Sequence, residues 1–170
     1  TFPGHFLHIS ETVPEYFPGH FSDVFRTLLG HFAGAINGAG ITRGTSFLKD
    51  RLGEAVFSPT ITIDDDPTIR RGPASRPFDG EGRAAWPLRL VEEGRLTQWF
   101  LDGACARELG LTSNGRAARS GAGTSPSPTN LTLRPGTRSR EEMLAEIGTG
   151  LLVTDLIGHG VNGVTGDYSR

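Results

Sequence analysis

One glycine-rich segment near the end of the sequence has residue types and spacing that could bind a phosphate. Residues 158–163, GHGVNG, follow an apolar run and match the glycine pattern of dinucleotide-binding loops. That chemistry needs a helix immediately after the glycines and an acidic residue about twenty positions further on. Residues 164–167, VTGD, are a poor helix start. The segment therefore favours sharp turns over a nucleotide site.

Other side chains capable of chemistry are explained more simply by structural roles. Asp64, Asp65 and Asp66 could bind a hard cation, but an acidic turn after a strand is the commoner arrangement. Cys105 lies among alanines, which predicts a buried small residue and not a reactive thiolate. His31 lies among apolar helical positions, where a satisfied or surface histidine is expected more often than a metal ligand.

A short repeat opens the chain, since residues 2–6, FPGHF, return as residues 17–21. The Pro-Gly pairs predict turns, and two copies fall far short of a solenoid. We therefore interpret residues 1–20 as an irregular segment, and their three histidines as turn residues instead of a metal cluster: His5, His8 and His20.

Composition excludes several classes of protein. The 170 residues include 24 Gly and 11 Pro, too many for a helical bundle, and a single cysteine, which rules out an internal disulfide and a thiolate zinc cluster. A net charge of −2 argues against a uniformly basic nucleic-acid binder. No apolar run approaches the roughly 18 residues of a membrane helix, and no signal segment is visible. A cytoplasmic fragment of a longer protein is the expectation.

The first elements predicted to position these residues are a helix and a strand. Residues 22–37 have an apolar stripe at helical spacing, and Gly38 and Gly40 are expected to end that helix. Strands are predicted at 56–57 and 60–63, with the three aspartates breaking the second strand. The stripe consists of Phe25, Leu28, Leu29, Phe32 and Ile36.

The second half predicts a hairpin and two more helices. Residues 88–91 and 95–101 form the hairpin around Gly94, and Gly103–Leu109 forms a short helix. Residues 112–138 predict a solvated, mobile loop. Its five arginines between 116 and 140 offer an alternative, a clamp for a carboxylate or phosphate of a partner.

Ser139 and Glu142 predict a capping box for a helix that buries Met143, Leu144 and Ile147, followed by a strand at 151–157. The class is α+β, mostly antiparallel and β-rich, with two or three helices.

Six blocks in the same order then identify a resemblance: RGTSFLKDRLG (43–53), RPFDGEG (76–82), LVEEGRLTQWFLD (90–102), TNLTLRPG (129–136), SREEMLAEIGTGLLVTDLIG (139–158) and GVNGVTGDYSR (160–170). Together they resemble the TldD/PmbA family, also called TldD/TldE peptidases or modulators of DNA gyrase, and most closely its PmbA (TldE) branch. The resemblance covers residues 21–170. It implies a carboxyl-terminal domain that is incomplete at both ends.

The TldD branch looks like a zinc peptidase with H-E-x-x-x-H on the first helix of this domain, two histidines binding zinc and the glutamate activating water. Aligned on Leu28-Leu29 and Gly34, the ligand positions here hold Gly30 and Ala35, and His31 stands at the glutamate position. The resemblance therefore implies no catalytic residue and no metal in this chain, with zinc expected in a TldD-like partner.

By resemblance, the chain is a non-catalytic subunit that pairs with a TldD-like catalytic subunit to cleave unstructured peptides. A peptidase active in its own right and a module binding gyrase or nucleic acid through the 116–140 arginines are the alternatives. Pairing of the chain with itself is a further alternative when no partner is present. We hypothesise that the glycine-rich end offers backbone groups to an extended peptide: Gly160, Asn162, Gly163, Thr165, Gly166 and Asp167.

Overall fold

The fold was taken from a computed structural model that describes residues 21–147, 149–150 and 160–169, with the backbone alone described for 21–27, 160–161 and 168–169. The α+β class with antiparallel sheets is confirmed. The described residues contain four helices, because Gly38 begins a helix that the sequence did not predict. The elements are α1 (Phe21–Ala35), α2 (Gly38–Thr42), β1 (Ile63–Asp65), β2 (Leu88–Glu92), β3 (Arg95–Leu96), α3 (Gly103–Glu108), β4 (Ala117–Ser120), β5 (Gly123–Pro126), β6 (Leu131–Leu133), α4 (Arg140–Ile147), β7 (Gly160–Val161) and β8 (Tyr168–Ser169).

The main sheet has four antiparallel strands in the order β3-β2-β1-β6. The predicted hairpin is confirmed between β2 and β3. Its turn residues Glu93 and Gly94 both have positive φ, 47° and 79°, which suits the right-handed twist of paired strands. Strand β3 is shorter than predicted, because Phe100 leaves the sheet and donates its N–H to the carbonyl of Ile36. The sheet thereby connects to the end of α1.

The aspartates at 64–66 do not break a strand, and that prediction was wrong. Asp64 and Asp65 are themselves strand residues of β1, whereas residues 59–60 form a turn and residues 61–62 are irregular, with the Ile61 N–H donating to the Ser58 carbonyl. Aspartate is tolerated in this strand because arginines compensate both charges. Asp64 accepts hydrogen bonds from Arg89 and Arg134, and Asp65 is fully buried against Arg116.

The core lies between α1 and the four-stranded sheet. Phe32 of α1 and Ile36, which directly follows that helix, are buried as predicted, and the Phe32 ring meets that of Phe57 edge to face at 5.3 Å. Each such side chain contributes about 1.5–3 kcal/mol by leaving water. Leu28 was assigned to the same stripe, but it is 47% exposed, so that assignment was wrong. The buried cluster comprises Phe32, Ala33, Ala35, Ile36, Leu48, Ile61, Ile63, Leu88, Leu90, Val91, Leu96 and Phe100.

Helix α2 begins where the sequence predicted that a helix would end. The Asn37 side chain caps it by accepting the Ala39 N–H at 3.0 Å, and its amide donates to the Pro126 carbonyl at 2.7 Å. Gly38 is required at this point because a Cβ there would lie 2.6 Å from the Phe100 carbonyl oxygen. Glycine therefore permits close packing of two elements here instead of stopping a helix.

The segment predicted to be a mobile loop, residues 112–138, contains three strands. Strands β4 and β5 pair as a hairpin, and β6 completes the main sheet beside β1. The composition was misleading because Arg116, which looked like a solvated charge, is buried as the partner of Asp65.

Helix α4 confirms the capping box and corrects the predicted apolar face. The Ser139 N–H donates to the Glu142 carboxylate at 2.7 Å, and the Glu142 N–H donates to the Ser139 hydroxyl at 3.2 Å. No residue of α4 is buried, Ile147 is 50% exposed, and Met143 and Leu144 are half-buried. Gly148 and the predicted strand at 151–157 lie outside the described residues.

Candidate functional site

A cleft of about 450 Å³ lies beside α1 and brings together residues that are far apart in the sequence. The three positions that the resemblance assigned to the zinc motif all line it, and so does Gly163 from the glycine-rich end. Its lining residues are Gly30, His31, Gly34, Ala35, Asn37, Gly40, Arg43, Thr45, Ser46, Phe47 and Gly163. Four of the eleven are glycines, so much of the wall is bare backbone.

The wall formed by α1 is open along one helical face. A Cβ added at Gly30 or Gly34 would meet no atom within 4 Å, so glycine at these positions leaves space and does not relieve crowding. Both glycines lower helix stability by up to about 1 kcal/mol each relative to alanine. Ala35 is buried, and His31 is half-buried at the cleft.

The donor set of this wall does not fit a zinc ion. Gly30 and Ala35 hold no side-chain nitrogen, oxygen or sulfur, so His31 alone among the three motif positions could bind a metal. Over the residues that the structure describes, no three His, Cys, Asp or Glu side chains cluster in a way that could hold a metal ion. The three motif positions therefore offer a single potential zinc ligand, His31.

The opposite wall follows from how α2 ends. Gly44 has φ of +70° and donates its N–H to the Ile41 carbonyl, and Thr45 donates its N–H to the Gly40 carbonyl, a Schellman arrangement that requires glycine. The chain turns back at once, so Arg43 and Phe47 flank the cleft. Ser46 fixes this turn to α1, because its hydroxyl donates to the Ala35 carbonyl at 2.5 Å.

The third part of the wall is the hairpin β7–β8, whose tip contacts Phe47. The Phe47 N–H donates to the Gly163 carbonyl at 3.0 Å, and a Cβ at Gly166 would lie 3.2 Å from the Phe47 ring. Within the tip, Asn162 accepts the N–H groups of Val164 and Thr165. The segment is a strand pair and not the strand-to-helix unit of a dinucleotide site; Gly158 and His159 lie outside the described residues.

The six residues predicted to bind peptide therefore differ in position. Gly163 lines the cleft. Gly160 lies in β7, and Asn162, Thr165 and Asp167 hold the tip together, with the Thr165 hydroxyl donating to the Asp167 carboxylate at 2.7 Å. Gly166 packs on Phe47. Peptide binding by these residues stays a prediction.

The cleft carries positive charge that its own lining does not neutralise. Arg43 is exposed, and its guanidinium has no hydrogen-bond or ion-pair partner among the described residues. The lining residues include no carboxylate. The hydroxyl of Thr45 donates to the Gly40 carbonyl and that of Ser46 to the Ala35 carbonyl, so both are already engaged. Sequence reasoning missed Arg43 and Phe47, although both lie in the 43–53 block that helped to identify the resemblance.

The remaining candidate groups have structural roles. Cys105 is buried as predicted, and burial, followed by hydrogen bonding to Asp102, raises the pKa of its thiol to about 12. Among the arginines of 116–140, Arg116 is buried, Arg119 donates to the Gly80 carbonyl, and Arg134 pairs with Asp64. Desolvation lowers the pKa of Arg116, while Asp65 opposes that effect.

In the part of the chain that the structure covers, no helix is both long and apolar enough to cross a membrane.

An α+β domain with a cleft beside its first helix fits the metallopeptidase-like class that the sequence resemblance implied. A family model described as the PmbA/TldA metallopeptidase C-terminal domain matches residues 21–170. The chain belongs to this PmbA/TldD family.

Individual relatives agree with that assignment. Metalloprotease PmbA of Escherichia coli O157:H7 is 42% identical over 137 residues, which cover 81% of this chain and 29% of the relative. A solved candidate modulator of a DNA gyrase from Thermotoga maritima is 29% identical, with a TM-score of 0.76, and covers 93% of this chain and 38% of that one. TldE from Thermococcus kodakarensis is 26% identical with a TM-score of 0.62, over 70% of this chain and 28% of that one. The chain thus spans less than a third of the curated relative's length.

Proposed function

We propose that this chain is the non-catalytic, PmbA/TldE-like subunit of a heteromeric metallopeptidase that cleaves unstructured peptides in the cytoplasm. The single observation that carries the proposal is the pair Gly30 and Ala35, which stand at the ligand positions of the zinc motif and line the cleft without any donor atom. Zinc and the activated water then belong to a TldD-like partner. This chain contributes a peptide-binding surface to the shared active site.

The hairpin β7–β8 supports a role in holding an extended peptide. It is a two-stranded sheet, so each strand has an outer edge that no other described strand covers. Such an edge can accept a peptide as an added strand, which binds main chain regardless of side-chain sequence. Main-chain recognition suits a substrate class defined by lack of structure.

Co-expression with the TldD-like protein of the same genome tests the proposal. We expect the two proteins to co-purify, zinc to follow the partner's H-E-x-x-x-H motif, and hydrolysis of an unstructured peptide to require both proteins. Substituting the partner's motif glutamate should abolish hydrolysis, whereas His31→Ala in this chain should leave zinc content unchanged. Stoichiometric zinc in this protein alone, lost together with peptidase activity in His31→Ala, would show an independent enzyme instead.

A further inference from the structure

We infer that the cleft beside α1 is a carboxylate site that holds the carboxyl-terminal end of a peptide through Arg43. The inference rests on the proposed function for the choice of a peptide as ligand. The charge and the shape of the cleft stand independently of that choice.

The cleft carries an uncompensated positive charge at Arg43. Arg43 follows α2 directly, and its guanidinium is unengaged by any described residue while the lining contributes no acidic group. A guanidinium binds a carboxylate through two parallel hydrogen bonds. The cleft therefore favours a carboxylate over a neutral or cationic group.

The shape of the cleft favours a chain end over an acidic side chain. Its volume of about 450 Å³ lies in the range of small-ligand sites. Gly30, Gly34 and Gly163 leave three parts of the wall without side chains, so a ligand's backbone can approach closely. Phe47, which is 41% exposed, supplies an apolar surface beside this wall. A terminal carboxylate brings its own backbone into that bare space, whereas a glutamate reaches it on a flexible stem.

The location explains why such a site would be kept in a subunit without zinc. In proteins with H-E-x-x-x-H, this face of the helix would carry the metal ligands. In this chain the same face carries Gly30 and Ala35, which leave open space, and Arg43 supplies a positive charge beside it. A peptide end held there would leave the preceding residues free to extend past the β7–β8 tip. The cleft would thus anchor a substrate whose scissile bond lies in the partner.

Titrations of the purified protein by NMR with three acetylated four-residue alanine peptides test this inference. One peptide ends in a free carboxylate, the second in an amide, and the third in an amide with one internal glutamate. We expect the first to bind at least about tenfold more tightly than the other two, the effect of a charged hydrogen bond. Shifts should include the amides of Arg43, Phe47 and Gly163.

Matched variants test whether the preference for a free carboxylate depends on Arg43. Arg43→Gln should bring the ratio between the free acid and the amide to about one, while Arg70→Gln, the same change at an exposed arginine outside the cleft lining, should leave it unchanged. Gly34→Leu, which fills open space on a helix, should abolish binding of all three peptides without loss of fold. Equal affinity for acid and amide, no binding, an equal effect of Arg70→Gln, or equally tight binding of the glutamate peptide would each overturn the assignment.

Failure of this inference and failure of the proposed function have different readouts. A protein that pairs with its zinc-bearing partner yet does not discriminate acid from amide refutes the carboxylate site alone. A protein that discriminates the peptides but holds its own zinc refutes the non-catalytic assignment alone.

Discussion

Arg116 and Asp65 form a fully buried ion pair, with the arginine Nε 2.5 Å from a carboxylate oxygen, although they lie 51 positions apart in the sequence. The same guanidinium donates to the carbonyls of Asp65, Trp86 and Asn114, and Asp65 also accepts from the N–H and hydroxyl of Thr129. One pair thereby joins β1, the loop before β2, and the segments on either side of the β4–β5 hairpin.

Breaking this pair on one side should destabilise the fold strongly. Arg116→Met leaves the Asp65 carboxylate buried without its cation, so we expect a loss of about 3–5 kcal/mol in the free energy of unfolding, measured by urea titration. Arg134→Met is the matched control, because it removes an ion pair to Asp64 from an arginine that is 52% exposed, and it should cost at most about 1 kcal/mol. Similar losses in both variants would contradict a special role for the buried pair.

Replacing Gly94 with alanine should lower the free energy of unfolding more than the same change at Gly82, which has a similar positive φ. Gly94 has φ of +79°, and a Cβ there would lie 2.5 Å from the Phe57 carbonyl oxygen and 2.6 Å from that of Ser58. Gly94→Ala therefore adds a clash to the positive-φ strain, and we expect a loss of about 3 kcal/mol. At Gly82, with φ of +78° and no atom within 4 Å of a Cβ, alanine should cost only about 1 kcal/mol. Equal losses, compared by thermal and urea unfolding, would rule out the clash.

The thiol of Cys105 should make stability fall at alkaline pH. Burial first and Asp102 second raise its pKa from 9.0 to about 12, so the folded state keeps a proton that the unfolded state has released. The slope of unfolding free energy with pH is then negative between about 9 and 12, by up to about 1.4 kcal/mol per unit. Cys105→Ala should flatten that part of the curve. Alkylation by iodoacetamide at pH 8.5 should be slow in the native protein and fast in urea, and rapid native labelling would contradict the prediction.

The capping box should make α4 sensitive to acid. Hydrogen bonding to the Ser139 backbone N–H, and then to its side chain, lowers the pKa of Glu142 below the usual 4.5. Its contribution is complete above pH 4.5 and is lost as the pH falls through the lowered pKa. We expect hydrogen-exchange protection of α4 amides to decline over that acid range. Ser139→Ala keeps the backbone donor and removes only the hydroxyl, so NMR titration should show a partial rise of the Glu142 pKa towards its ordinary value. An unchanged titration midpoint would exclude the hydroxyl as a cause.

Local chemistry was enough for the sequence to predict several elements. The Glu93-Gly94 turn, the Asp102-capped helix α3 and the box at Ser139 were all predictable, because each depends on residues within a few positions of one another. The family resemblance followed from ordered blocks, and alignment with the family motif then assigned Gly30 and Ala35, which hold no donor atom, to the ligand positions.

Tertiary structure alone decided which charges are buried and which remain available. Arg116 and Arg43 look alike in sequence, yet the first is enclosed with Asp65 and the second faces a cleft closed by Gly163, 120 positions further on. No local pattern can foresee either outcome, because the cost of burying a charge depends on whether a distant partner arrives to compensate it. For the same reason the aspartates of β1 were mistaken for a turn and the strands of 117–133 for a loop.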